Sequence, residues 1–233
     1  MKKNIWFYLL LFVLFFTFAN IEDRYSLSYI QEDNYSSYSL DNIPSYDGEN
    51  KYVVINDNIP FFTDEELTTL SFESYSELDY LGRCGVAYAN VSNDTMPTQE
   101  RTSIGQIKPS GWHTIKYDIV EQRYLYNRCH LIAFQLAGEN DNEKNLITCT
   151  RQMNAKVMTQ YENIVANYIR KTSNHVLYRV TPIFENDNLL ATGVLMEAKS
   201  VEDNGKGVSF NVFVYNVQDG IEIDYKTGDS WLK

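Results

Sequence analysis

Apolar and polar residues alternate with a period of two in three long stretches near the C-terminus: His175–Phe184, Leu189–Ala198 and Val208–Val217. That period predicts strands, and the turn residues Asn186-Asp187-Asn188 and Asn204-Gly205 between them predict antiparallel connections. Upstream the period changes. Met153, Val157, Tyr161, Ile164, Val165, Tyr168 and Ile169 recur at helical spacing, so 151–171 is predicted as one amphipathic helix. Shorter strands are predicted at Tyr52–Ile55, Gly85–Ala89, Trp112–Ile119 and Asn145–Cys149. Thr63, followed three residues later by Glu66, has the spacing of a helix-opening capping box. The fold class is α+β, with a central, mostly antiparallel sheet and a long helix placed between the early and late strands.

Tyr124–Phe134 breaks the pattern. It is apolar and aromatic except for Asn127-Arg128-Cys129-His130. Polar groups in a strand that otherwise belongs in a core are costly unless they are paired or used.

The two ends of the chain differ. Met1-Lys2-Lys3-Asn4 precedes an unbroken apolar run from Ile5 to Phe16, then Thr17-Phe18-Ala19. A basic head, an apolar stretch and small residues describe a signal peptide over 1–19, or an anchor if it is not cleaved. The protein is then secreted, or held on the outer face of the membrane. Residues 20–49 are rich in Ser, Tyr, Asp and Asn without a sustained period and read as an acidic linker, leaving a domain over 50–233. The net charge of −11 at first argues against a polyanionic partner. However, residues 22–79 carry 14 acids and 2 bases, whereas 80–233 carry 17 acids and 16 bases. Between 144 and 171, Lys144, Arg151, Lys156, Arg170 and Lys171 face only Glu162, a local basic surface that suits phosphate. Cys84, Cys129 and Cys149 allow one disulfide and a thiol, or three thiols. A Cys129/His130 thiol-nucleophile site fails because adjacent strand residues face opposite ways.

Asn127-Arg128-Cys129-His130, followed by Asn145 and, nine residues on, Asn154, with Glu162 further along the helix, resembles the DNA/RNA non-specific endonucleases. These are ββα-metal (His-Me finger) nucleases, whose motif is Asp-Arg-Gly-His followed by two asparagines at that separation. The resemblance covers the chain from about residue 50 and implies hydrolysis of phosphodiester bonds in DNA and RNA, leaving 5′-phosphate and 3′-hydroxyl ends. It implies His130 as general base, a role that suits an imidazole near neutral pH. It implies Asn154 as the ligand of Mg²⁺, with Mn²⁺ able to substitute. A hard ion that keeps most of its waters needs few protein oxygens. Glu162 would hold the water shell of that ion, Asn145 would orient His130 or the metal shell, and Arg128 would bind phosphate or steady the transition state. Arg151 and Arg179 are further candidates for contact with the nucleic acid, and no small-molecule cofactor is implied. Two positions depart from the family pattern, Asn127 for Asp and Cys129 for Gly. They leave an alternative: a catalytically impaired module of the same fold that binds nucleic acid or a surface partner.

Overall fold

In the computed structural model, which describes residues 43–233, the three alternating stretches become adjacent strands. The signal peptide or anchor expected over 1–19, and the expected linker as far as residue 42, lie outside the described residues. We label the strands β1 (Tyr52–Val54), β2 (Phe72–Tyr75), β3 (Ala87–Val91), β4 (Tyr126–His130), β5 (Leu146–Thr150), β6 (Val176–Ile183), β7 (Gly193–Ser200), β8 (Ser209–Tyr215), β9 (Ile221–Ile223) and β10 (Ser230–Leu232). Helix α1 is one turn, Phe134–Ala137, and α2 spans Thr159–Thr172, entered through a π-helical segment at Met153–Met158. The main sheet is antiparallel throughout, in the order β1-β8-β7-β6-β3-β2. The pairs β4–β5 and β9–β10 stand apart from it.

One face of the sheet packs on α2. Tyr178 and Val180 of β6, Met196 and Ala198 of β7, and Phe210 and Val212 of β8 meet Val165, Ala166 and Ile169 of the helix. The β4–β5 pair enters the same core through Cys129, Ile147 and Cys149. Cys129 and Cys149, with Cα atoms 5.9 Å apart, form a disulfide, and Cys84 is a buried thiol. Cys129 is therefore turned into the core, as strand alternation from His130 requires.

The opposite face of the sheet is also buried, which corrects the expectation for Arg179. Side chains alternate along β6, so Leu177 and Arg179 lie on the face away from α2. The Arg179 guanidinium sits over the Phe62 ring at 4.7 Å. It donates to Glu197 at 2.9 Å and lies 3.5 Å from Glu66. It closes a buried ion network instead of facing a cleft. Glu66 also accepts from the Thr63 backbone at 2.7 Å, so the expected capping pair forms, around a single 3₁₀ turn.

The strand expected at Trp112–Ile119 is absent. That segment is irregular apart from a bridge between Lys116 and Tyr124. Its apolar residues, Trp112, Ile115 and Tyr117, pack on a second small core of Val120, Leu125, Tyr126, Leu190 and Ile221, so their spacing reflects loop contacts. The last part of the expected linker is packed as well: Tyr46 lies against Tyr215, ring centroids 5.3 Å apart, and the Tyr215 hydroxyl donates to Pro44 O at 2.6 Å.

Removing Arg179 leaves Glu197, which is 0% exposed, without its counter-charge. We expect Arg179→Met to lower unfolding free energy by about 3–5 kcal/mol. In urea titration, adding Glu197→Gln should restore part of that loss, and an unchanged midpoint for Arg179→Met would contradict the pairing.

Candidate active site

The β4–β5 pair holds its polar residues by satisfying them locally. Asn145 ends a 3₁₀ turn, Glu143–Asn145, and its amide is fully buried. Its Oδ1 accepts from Ile132 N at 2.8 Å and its Nδ2 donates to Ile132 O at 3.0 Å. Both backbone groups just beyond His130 are thereby fixed. The Asn145 side chain thus ties down the backbone two residues after His130.

His130, at the end of β4, is 6% exposed. Its Nε2 lies 2.9 Å from the carbonyl of Asn140. A carbonyl can only accept, so the ring proton sits on Nε2 and Nδ1 is the accepting nitrogen, facing the Arg101 donor. Nδ1 lies 3.4 Å from a guanidinium nitrogen of Arg101. Burial, together with that cation, holds the imidazole below its ordinary value, while the Asn140 carbonyl pulls the other way. The net effect favours the neutral ring.

Asn154 lies at the start of the helical run, which Thr150 caps by accepting from Met153 N at 3.0 Å. The Asn154 Nδ2 donates to Asn127 Oδ1 at 3.1 Å, which leaves the Asn154 Oδ1 to accept or ligate. Asn127 thus keeps the one acceptor that the family's aspartate would offer here, without its charge.

Glu162 follows Asn154 by eight residues. In an unbroken α-helix that spacing separates two side chains by about 80°, which gives the neighbouring face that the sequence suggests. The π-helical segment between them absorbs one residue. The pair then stands as if seven apart, within about 20° of one face. The carbonyl of Asn154 accepts from the backbone N–H of Thr159, five residues on, and from its hydroxyl at 2.9 Å. Both side chains line one cavity of about 250 Å³, together with His130, Arg128 and Arg101. Glu162 is 8% exposed and accepts no hydrogen bond from the described residues. Burial pushes its carboxyl up to about 8, against the pull of Arg101.

A buried carboxylate without a donor, beside an open amide oxygen, is a hard-oxygen donor pair that a small divalent cation would satisfy. Among the described residues no three carboxylates, thiols or imidazoles converge. The fit is therefore to an ion that keeps most of its water.

The arginines divide. Arg128 donates to the carbonyls of Ile107 and, at 2.8 Å, Gly105, and lies over Trp112 at 3.9 Å. It lines the cavity while pinning the loop that carries Arg101. Arg151 lines a second, adjoining cavity. Arg179 is remote, on the far face of the sheet. Arg101 was not legible in the sequence, because it stands in an aperiodic stretch before Gly111 with no motif around it.

Two antiparallel strands leading into a helix, with a histidine on the first strand and a metal-competent oxygen at the helix start, make a ββα finger. The sequence model of the DNA/RNA non-specific endonucleases matches residues 64–202, more than half of the chain, and the chain belongs to that family. Solved structures agree. NucA from Streptococcus agalactiae with magnesium ion bound is similar at 24% identity and a TM-score of 0.72, over 87% of this chain and 96% of that one. The same nuclease with no metal bound is similar at 25% identity and a TM-score of 0.71, over 87% and 95%. Sda1 nuclease with bound zinc ion is similar at 25% identity and a TM-score of 0.66, over 84% and 100%.

In metal-free protein the His130 ring should titrate below 6.5 by NMR. Arg101→Gln removes a cation that favours the neutral ring, so it should move the midpoint upward. A midpoint that stays put or falls would show that Arg101 does not act on His130.

Proposed function

We propose that the protein is an exported, Mg²⁺-dependent endonuclease that hydrolyses phosphodiester bonds in DNA and RNA with little sequence preference, using His130 as general base. The observation that carries this reading is the convergence of His130, Asn154 and Glu162 on one cavity. The basic head and apolar run at the N-terminus support export.

Asn154 Oδ1 would hold the ion directly and Glu162 would hold its water shell. When bound, the cation neutralises charge on the phosphorane and on the departing 3′-oxygen. The oxygen donors favour Mg²⁺ over softer ions; among similar nucleases, the NucA structure holds magnesium and the Sda1 structure holds zinc.

The remaining work falls to the protein's own groups. His130 Nδ1 takes a proton from water as the water oxygen attacks phosphorus. The P–O3′ bond breaks, leaving a 5′-phosphate; the 3′-oxygen takes a proton from solvent water to become the hydroxyl, and the imidazolium returns its proton to solvent. Because Nε2–H is already committed to Asn140 O, the imidazolium formed is stabilised without a change of ring orientation. Arg101, beside Nδ1 and at the junction of both cavities, supplies positive charge to the non-bridging phosphate oxygens. Arg128 supports it by holding the 105–107 backbone. Neither departure from the family motif removes a group from this set: Asn127 keeps the bond to Asn154, and Cys129 faces the core.

Plasmid and RNA cleavage test the reading. We expect EDTA to abolish cutting, Mg²⁺ to restore it, and His130→Ala to slow it by about 10²–10⁴-fold. A His130→Ala protein that cuts at the wild-type rate, or cutting indifferent to EDTA, would overturn the assignment.

A further inference from the structure

Beside the cavity that holds His130 lies a larger one, of about 540 Å³, whose walls carry aromatic rings among their arginines. The two share Arg101, Arg128 and Asn154, so the larger one begins where the reacting phosphate would lie. From there it runs along Tyr126, Trp112 and Tyr124 to Arg151. Tyr126 is a fixed wall, 3% exposed, its hydroxyl donating to Gly228 O at 2.9 Å. Tyr124 is 45% exposed; the Lys116 ammonium lies over its ring at 4.5 Å, and Lys116 is not part of the cavity wall. On the rim, Gln122 and Arg123 hold φ values of 61° and 69°. Two successive left-handed residues without glycine persist only where the surroundings impose them. Arg151 has its Nε buried without a hydrogen-bond partner among the described residues, and its nearest carboxylate, Glu121, is 3.9 Å away.

An intact duplex gives aromatic walls nothing to touch. Its outer surface is phosphate and sugar, with the faces of its bases stacked inside. Aromatic side chains contribute when a base leaves the stack. Resting on the nuclease reading above, we propose that this cavity receives one unpaired nucleobase of the strand being cut, stacked on Tyr124, with its flanking phosphate on Arg151. Single strands, loops and frayed ends fill the cavity at little cost, whereas duplex must first unstack a base. The stacking term does not discriminate among the four bases, so it favours unpaired substrate while leaving sequence preference low.

The test uses the His130→Ala protein with Mg²⁺ and a short fluorescent single-stranded DNA, with affinity read by anisotropy. An abasic nucleotide is moved through the oligonucleotide one position at a time. One position should weaken binding by about tenfold and the others by far less. Tyr124→Ala in the same background should weaken binding of the parent strand about tenfold and add nothing at the sensitive abasic position, and Tyr124→Phe should bind as the parent does. The tenfold ratio should be the same at low and high salt, because the stacked base, unlike the phosphates, releases no counterions. An abasic scan with no sensitive position overturns the proposal. So does a Tyr124→Ala loss that adds in full to the abasic loss. The nuclease reading fails separately, if the wild-type protein leaves DNA intact or His130→Ala cuts like wild type.

Discussion

The site depends on one constraint of helix register. A carbonyl oxygen and a carboxylate eight residues apart share a cavity only because the helix takes in an extra residue between them. Such a segment stretches the usual hydrogen-bond ladder and must be stabilised by its surroundings. Thr159 doubles the donors to the Asn154 carbonyl, and Met153, Val157 and Met158 bury the inner side of the segment in the main core. The amphipathic pattern that makes this helix dock on the sheet therefore also fixes where Asn154 and Glu162 meet.

A second device lets a polar strand pair sit outside the main sheet without orphaned backbone. The β4–β5 pair is only five residues long on each strand, and internal amides replace the neighbours it lacks. Asn145 occupies both backbone groups of Ile132 at one end. At the other, Asn216, 0% exposed, accepts from Thr150 N at 2.9 Å and donates to Ala191 O at 3.0 Å. A buried asparagine with all of its groups paired rigidifies its surroundings. His130 thus projects from backbone held by hydrogen bonds on one side and by the disulfide-bearing core on the other.

These features were unevenly legible in the sequence. Periodicity located α2 and β6–β8 because their apolar faces are continuous and long. The polar insert at 127–130 stood out because it interrupted such a run. The π-helical segment was invisible to periodicity, since one extra residue shifts the apolar stripe without breaking it. Arg179 carried a charge whose direction alternation leaves open until the burial of both sheet faces is known. Arg101 and Asn216 lie in connecting segments, where position comes from tertiary packing and leaves no local signature. At Trp112–Ile119 loop contacts imitated a strand, because a half-buried loop can also place apolar residues at alternate positions.

Anomalous scattering from crystals soaked in Mn²⁺ tests the central claim most directly, since it locates the ion independently of activity. We expect one strong peak about 2 Å from Asn154 Oδ1, in the cavity lined by His130 and Glu162, with the carboxylate reaching the ion through water. A peak elsewhere, or density on the Asn127 side of the Asn154 amide, would contradict the register argument and the site built on it.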